Sequence, residues 1–241
     1  MPVNSQHPDY KRMVDRWSRC RIVAAGQDEV HAAGDVFLPK LKDQTPDDYT
    51  AYVKRAPFYN ATWRTISGLV GMLFRQPPKV EVPVSVTPMM DDVTLTGIPL
   101  HSFAQTVSEK ALECGRLGVL VDYPRVETAG TTLADAKAMN LRPTLCMYDA
   151  ESIINWRSER VNNVMALVLV VLCEQQEVRE DEFASKTEKV YRVLDLMNKR
   201  HRVRMVRIKS DGKEEQIGGD VYPIKRGAPL DYIPFTFIGA D

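Results

Sequence analysis

The longest apolar run in this chain, Val164 to Cys173, is about half of the ~20 residues that a spanning helix needs. No transmembrane helix is therefore expected. The N-terminus puts His7, Asp9, Lys11 and Arg12 where a secretion signal carries its apolar core, so no signal peptide is expected either. Cysteine is scarce and scattered: Cys20, Cys114, Cys146 and Cys173 form no C-x-x-C pair, and three of them sit in apolar runs. That pattern fits reduced, core-filling thiols in a cytosolic setting better than disulfides. Neither charge sign is in excess, with 32 Lys plus Arg against 32 Asp plus Glu. A globally basic surface for gripping nucleic acid is excluded, although local patches are not. The four histidines, His7, His31, His101 and His201, have no His or Cys at ligand spacing, so no metal site is expected. The chain also lacks a G-x-S-x-G elbow, a phosphate-binding P-loop, a dinucleotide fingerprint and H-E-x-x-H. No cofactor and no enzymatic activity follow from it.

What is present is a globular composition. At 241 residues and 44% hydrophobic, the chain has enough apolar surface for one large domain or two small ones. Its organising stretch runs from Leu100 to Pro124. Leu100, Phe103, Ala104, Val107, Ala111 and Cys114 recur at spacings of three and four, which places them on one helical face. Gly115 suits the left-handed turn that ends a helix. Leu117 to Tyr123 then reads as a short buried strand closed by Pro124.

Helices are expected upstream. Residues 1 to 7 read as a flexible tail. From Pro8, a helix carries Tyr10, Met13, Trp17 and Ala24 on one face. Arg12, Arg16, Arg19 and Arg21 occupy the rest, as a solvated face or a surface for an acidic partner. Gly26 and Gly34 bracket a short helix, Gln27 to Ala33. Thr45-Pro46-Asp47-Asp48 is a capped helix start, followed by a buried stripe of Tyr49, Tyr52 and Val53 and a stop at Pro57. Asn60 to Phe74 reads as a helix with Ile66, Leu69, Val70, Leu73 and Phe74 on a wide apolar face. Gly68 and Gly71 within it suggest close backbone packing, since each costs a helix about 1 kcal/mol relative to Ala. Residues 79 to 99 read as extended and turn-rich.

Strands are expected downstream. A connection from Arg125 to Arg142 contains a short helix, Leu133 to Met139. Thr144 to Tyr148 is a strand, and Ala150 to Trp156 a loop or helical turn. A β-meander follows: Val164 to Cys173, buried on both faces; Val190 to Leu196; a turn at Asn198-Lys199-Arg200; Arg202 to Ile208; a hairpin turn at Asp211-Gly212; a short strand near Gln216-Ile217. Ile233 to Ile238 is the last strand, with Pro234 at its start or on an edge. The fold class is α+β, with N-terminal helices packed on a mostly antiparallel β-sheet. Residues 1–99 form a helical region with an extended linker, and 100–241 an α+β region.

Few side chains invite a chemical role. Asp122 ends an apolar strand, where α/β enzymes often place an acid, but no partner for it is visible in the sequence. Asp91-Asp92 and Asp47-Asp48 read as loop and helix-start acids. One basic cluster stands out: Lys199, Arg200, Arg202, Arg204, Arg207 and Lys209. Arg202 and Arg204 point the same way on a strand, and Lys199 and Arg200 sit at its turn. Phosphate contact is one reading, with Lys199, Arg200, Arg202, Arg204 and Arg207 facing nucleic acid. The other is an exposed hairpin whose charge resists edge pairing. No aromatic residue is interleaved, so base stacking is not supported.

Four stretches, taken in order, resemble the N-terminal half of tailed-bacteriophage portal proteins, and most closely a divergent subgroup of uncharacterised phage proteins. They are N-A-T-W-R-T-I-S-G-L-V-G-M-L-F-R-Q-P-P (Asn60 to Pro78), F-A-Q-T-V-S-E-K-A-L-E-C-G-R-L-G-V-L-V-D-Y-P (Phe103 to Pro124), Y-D-A-E-S-I-I-N-W-R (Tyr148 to Arg157) and P-L-D-Y-I-P-F-T-F-I-G (Pro229 to Gly239). The resemblance implies the wing region of a ring, commonly a dodecamer, at the capsid vertex of a virion, through which DNA is packaged and ejected. It implies identical subunits, capsid protein, terminase and a head–tail adaptor as partners, with double-stranded DNA passing through. In that family the last strand leads into the stem, clip and crown, which this chain does not contain, so a fragment is expected. The alternative is another virion head–tail connector or adaptor that does not conduct DNA.

Overall fold

The computed structural model describes residues 2–124, 135, 138–161, 163–225 and 227–239. The expected helix at Leu133 to Met139 lies largely outside them. Five α-helices come first: α1 (Pro8–Ala25), α2 (Gln27–Ala33), α3 (Pro46–Arg55), α4 (Ala61–Leu73) and α5 (Leu100–Cys114). Ten strands follow: β1 (Arg116–Asp122), β2 (Thr144–Asp149), β3 (Ile153–Val161), β4 (Val164–Arg179), β5 (Ser185–Met197), β6 (Arg200–Ile208), β7 (Glu214–Val221), β8 (Ile224–Lys225), β9 (Ala228–Pro229) and β10 (Phe235–Gly239). The fold is α+β, and every strand pairing among the described residues is antiparallel.

The strands form two principal sheets. One is three-stranded, in the order β10-β1-β2; the other is a five-stranded meander, β3-β4-β5-β6-β7. Period-two alternation on the meander divides its apolar side chains between two clusters. Val170, Leu172, Leu194 and Val203 meet Leu120, Tyr148, Ile233 and Phe235 of the small sheet. From the opposite face, Val171, Tyr191, Val193 and Val206 meet Tyr10 and Trp17 of α1. The meander is thus the middle layer, with the small sheet on one side and α1 on the other. α1 shares its core with the sheet, so the region before residue 99 is not packed separately from the region after it.

The organising stretch adopts its expected form. Phe103 and Cys114 are buried on α5. Gly115 takes a left-handed conformation (φ 77°), and its N–H donates to Ala111 O at 2.8 Å. β1 emerges directly from that turn. Gly118 on β1 is a packing requirement: a Cβ there would lie 2.1 Å from Phe235 Cζ and 2.9 Å from Ile153 Cδ1. The missing side chain lets the Phe235 ring lie against the β1 backbone. Pro234 stands just before β10, the outer strand of its sheet.

Several expectations are corrected. Residues 2–7 are not a free tail. Val3 N–H donates to Glu214 on β7, Asn155 Nδ2 donates to Ser5 O at 3.0 Å, and His7 N–H donates to Ile154 O at 2.9 Å. Backbone groups that look unremarkable in sequence find partners across the sheet. The segment from Ala150 to Trp156 is a single 3-10 turn followed by the start of β3. Its Ile153-Ile154 pair is buried between layers, one side chain on each face. The stripe of Tyr49, Tyr52 and Val53 on α3 is not buried: Tyr49 and Val53 are half-covered and Tyr52 is exposed. Gly68 and Gly71 do not mark close packing: a Cβ at either position would meet nothing within 4 Å. Finally, the meander strands outrun the sequence estimate. β4 and β5 continue to Arg179 and Ser185, while β3 covers β4 only as far as Leu172 and β6 covers β5 only from Val190. Beyond those points the pair projects as a two-stranded arm.

Candidate functional site

The basic cluster lies on the β5–β6 hairpin. Asn198 (φ 52°) and Lys199 (φ 60°) both take left-handed conformations, which suits a two-residue hairpin turn. Met197 therefore faces Arg200, and Asp195 faces Arg202. Asp195 accepts from Arg202 Nε at 2.9 Å and Nη2 at 2.8 Å, and from Arg204 Nη2 at 3.0 Å. Arg202 also reaches Asp220 on β7 at 3.0 Å. Donation to Asp195 holds the Arg202 guanidinium above its ordinary value against the pull of burial. Arg207 and Lys209 converge on Glu215, and their donation keeps its carboxyl below the usual range. Three of the five residues read as facing nucleic acid, Arg202, Arg204 and Arg207, are thus held by acids. Lys199 and Arg200 are exposed and have no ion-pair partner among the described residues. The edge-pairing reading needs correction too, because β6 is an inner strand covered by β7.

A second group of charges lies where the two sheets meet. Asp122 at the end of β1 has a partner after all: Arg192 Nη1 on β5 lies 2.8 Å from its Oδ2. Arg192 Nε sits 2.7 Å from Glu174 Oε1 on β4, an ion pair without hydrogen-bond alignment. Tyr148 Oη on β2 donates to the same Glu174 oxygen at 2.6 Å. Arg192, Glu174 and Tyr148 border an open cleft of about 820 Å³ that Tyr10, Cys146 and Cys173 also line. Burial, reinforced by Glu174, raises the Tyr148 phenol against the opposing effect of Arg192, so it stays a donor. Burial also raises the Cys146 and Cys173 thiols. The cleft therefore holds protonated thiols and mutually neutralised charges.

No protein-family model matches the chain, and no curated protein matches it. A third group is built in the same way. Arg21 on α1 pairs with Glu113 on α5 at 3.1 Å, Asp149 at the end of β2 at 3.1 Å and Glu151 at 2.6 Å. Lys110 adds to Glu113 at 3.5 Å. One guanidinium thereby joins two helices and the β2–β3 junction. Next to it, burial pushes the Cys114 thiol up to about 12 despite Arg21. A thiol so raised carries little nucleophilic thiolate at neutral pH.

An aromatic stack completes the set. His7 lies on Trp156 with centroids 4.0 Å apart and planes 20° apart. The Arg116 guanidinium carbon is 4.1 Å from the Trp156 ring and 4.2 Å from the Phe237 ring. His7, Trp156, Arg116 and Phe237 thus tie the N-terminal segment, β3, β1 and β10 together through one ring stack and two cation–π contacts. Among the described residues, no three His, Cys, Asp or Glu side chains converge to hold a metal ion. His201 is buried and solitary. Burial holds its imidazole below the ordinary value, although the Asp195 backbone and charge pull the other way. Sequence reasoning missed Arg192, Arg21 and Trp156, whose partners are distant in the chain. Each group is a clamp between elements; none couples a free base to an activated nucleophile.

Proposed function

We propose that this chain is a structural wall element, the wing portion of a portal ring at a phage capsid vertex, through which DNA is packaged and ejected. Its partners on this reading are identical subunits, capsid protein, terminase and a head–tail adaptor, and its place is the virion. One observation carries the reading. Three of the four stretches that resemble portal proteins come together around β1: the α5–β1 unit pairs with β2 on one side and β10 on the other, and Ile153 and Phe235 close over Gly118. The likeness thus follows one packed unit rather than scattered surface loops.

Two further features support it. The fourth stretch forms α4, which leaves Leu69, Met72 and Leu73 uncovered, the last two 68% and 64% exposed. Uncovered apolar faces of that kind are what a subunit presents to a neighbour. Interior charges are spent on one another, as in a clamp and not a catalyst. DNA sliding through such a ring must be held weakly. With Arg202, Arg204 and Arg207 held by acids, only Lys199 and Arg200 of the cluster keep open charge for phosphate. The contribution of this cluster to any DNA affinity should have a salt slope no steeper than about −2 per chain.

Negative-stain images of the protein expressed from its complete reading frame test the reading. Rings with a central channel are expected. Single-copy particles at tens of micromolar, with the fold intact by circular dichroism, would sink it.

A further inference from the structure

The two ends of the β4–β5 pair are unlike, and they complement each other. At one end is the projecting arm. Its tip, Glu180-Asp181-Glu182-Phe183, carries three acids in succession. Phe183 is 93% exposed, the most exposed large apolar side chain among the described residues. The tip is also pinned. Asp181 Oδ1 accepts from Phe183 N–H at 2.8 Å and Ala184 N–H at 2.7 Å, and Glu180 N–H donates to Ala184 O at 3.0 Å. An aromatic ring held in water by a preformed turn loses little freedom on docking.

At the other end, the β3–β4 and β5–β6 turns lie side by side over an open groove of about 520 Å³. Val161, Leu169, Leu196 and Met197 give it apolar walls, and Arg160 and Lys199 stand on its rim. Glu159, Asp195 and Asp231 also border it, but Glu159 is engaged by Arg157 at 3.0 Å and Asp195 by Arg202 and Arg204 at 2.8 and 3.0 Å. Arg160 and Lys199 have no ion-pair partner among the described residues. Phe183 and this groove lie about 40 Å apart or more along the strands, at ~3.3 Å per residue. One molecule cannot bring them together.

We infer that the Phe183 tip of one copy docks in the Arg160–Lys199 groove of the next, with Glu180 and Glu182 facing the two cations. The occupant is a second copy of this chain, because the same strand pair supplies an acidic apolar plug and a basic apolar socket at opposite ends. The contact is heterologous: it repeats head to tail and closes into a ring or runs on as a filament, according to its rotation. It is small beside a standard interface, so it acts as one anchor of a weak association. The inference does not rest on the portal reading.

The test joins cross-linking to mass measurement on the full chain, with exposed Cys20 replaced by Ser as the background. Phe183→Cys combined with Met197→Cys should give a ladder of covalent multimers with a short bismaleimide. Mixing the two single variants should give heterodimers. In sedimentation at about 100 μM, Phe183→Ser should weaken self-association about tenfold or more, the size expected of an aromatic anchor, with its melting temperature unchanged. Arg160→Glu with Lys199→Glu should weaken it likewise, and adding Glu180→Lys and Glu182→Lys should restore it. A monomeric parent chain, no ladder beyond that of the single variants, or unchanged association in Phe183→Ser would overturn the inference. Rings that persist unaltered in Phe183→Ser would overturn it while leaving the portal reading intact.

Discussion

α3 and α5 are both well-signalled helices, and they have opposite fates. α3 begins with a textual set of start signals, Thr45 accepting from Asp48 N–H and Pro46 in its first turn, yet it buries no residue. α5 has Pro99 at its N-cap with no side-chain cap, and it is the helix from which β1, the middle strand of the three-stranded sheet, emerges. The contrast extends to their surroundings. Around β1, β4 and β5, Leu117, Leu172 and Leu194 are fully buried. On α4 only Ile66 and Val70 are buried, and neither completely. Caps decide where a helix starts and stops; whether its stripe is covered depends on what the rest of the chain brings to it.

That comparison is open to direct attack. The largest effect is expected for Leu194→Ala, between the sheets, which should cost about 2–5 kcal/mol in urea unfolding. Leu73→Ala on α4 should change it by no more than about 0.5 kcal/mol. Equal losses at the two sites would erase the distinction. Gly118→Ala should cost about 1–3 kcal/mol, because the new methyl meets the Phe235 ring; an unchanged melting temperature would show that β10 gives way freely. Arg21→Met leaves Glu113, Asp149 and Glu151 facing one another. With the Arg21 side chain 23% exposed, screening reduces the expected loss to about 1–2 kcal/mol.

A pH experiment sharpens the contrast within the body itself. His201 titrates below the ordinary 6.5 when folded, so the unfolded chain takes up the proton first. Stability is then full above about pH 6.5 and falls as pH drops from there toward the lowered value, with a limiting slope of about 1.4 kcal/mol per pH unit. The charges of Asp195 and Asp122 act on the group in the other direction and moderate the effect. His201→Gln should flatten the profile below about pH 6.5; an unaltered profile would assign the slope to other groups. One expected effect is a gain. Gly68→Ala has open space around it and should stabilise the isolated chain by about 0.5–1 kcal/mol through helix propensity. If the same change weakens self-association, α4 is covered in the assembly.

Much of the body was legible. The helix–Gly–strand unit from Leu100 to Asp122 follows from apolar period and one glycine. The β5–β6 register follows from a two-residue turn at Asn198 and Lys199, which sets Asp195 opposite Arg202. The neutralisation of the basic cluster was therefore readable from the hairpin, but only once the turn had been fixed at two residues. Asp122 was harder. Its partner Arg192 lies 70 positions away, and no local pattern links them. Nor does the sequence announce the arm: Glu174 to Lys189 is polar on both faces, and it is a strand pair only because β4 and β5 extend each other's ladder past the neighbouring strands.

By itself, then, the sequence determined the element types and most of their boundaries, because capping, turn chemistry and apolar period act within a few residues of each other. Tertiary structure alone decided which stripes are covered, which charges are neutralised and which ends are left to project. Those outcomes depend on contacts between segments tens of residues apart, where burial and ion pairing answer to three-dimensional proximity and not to spacing along the chain.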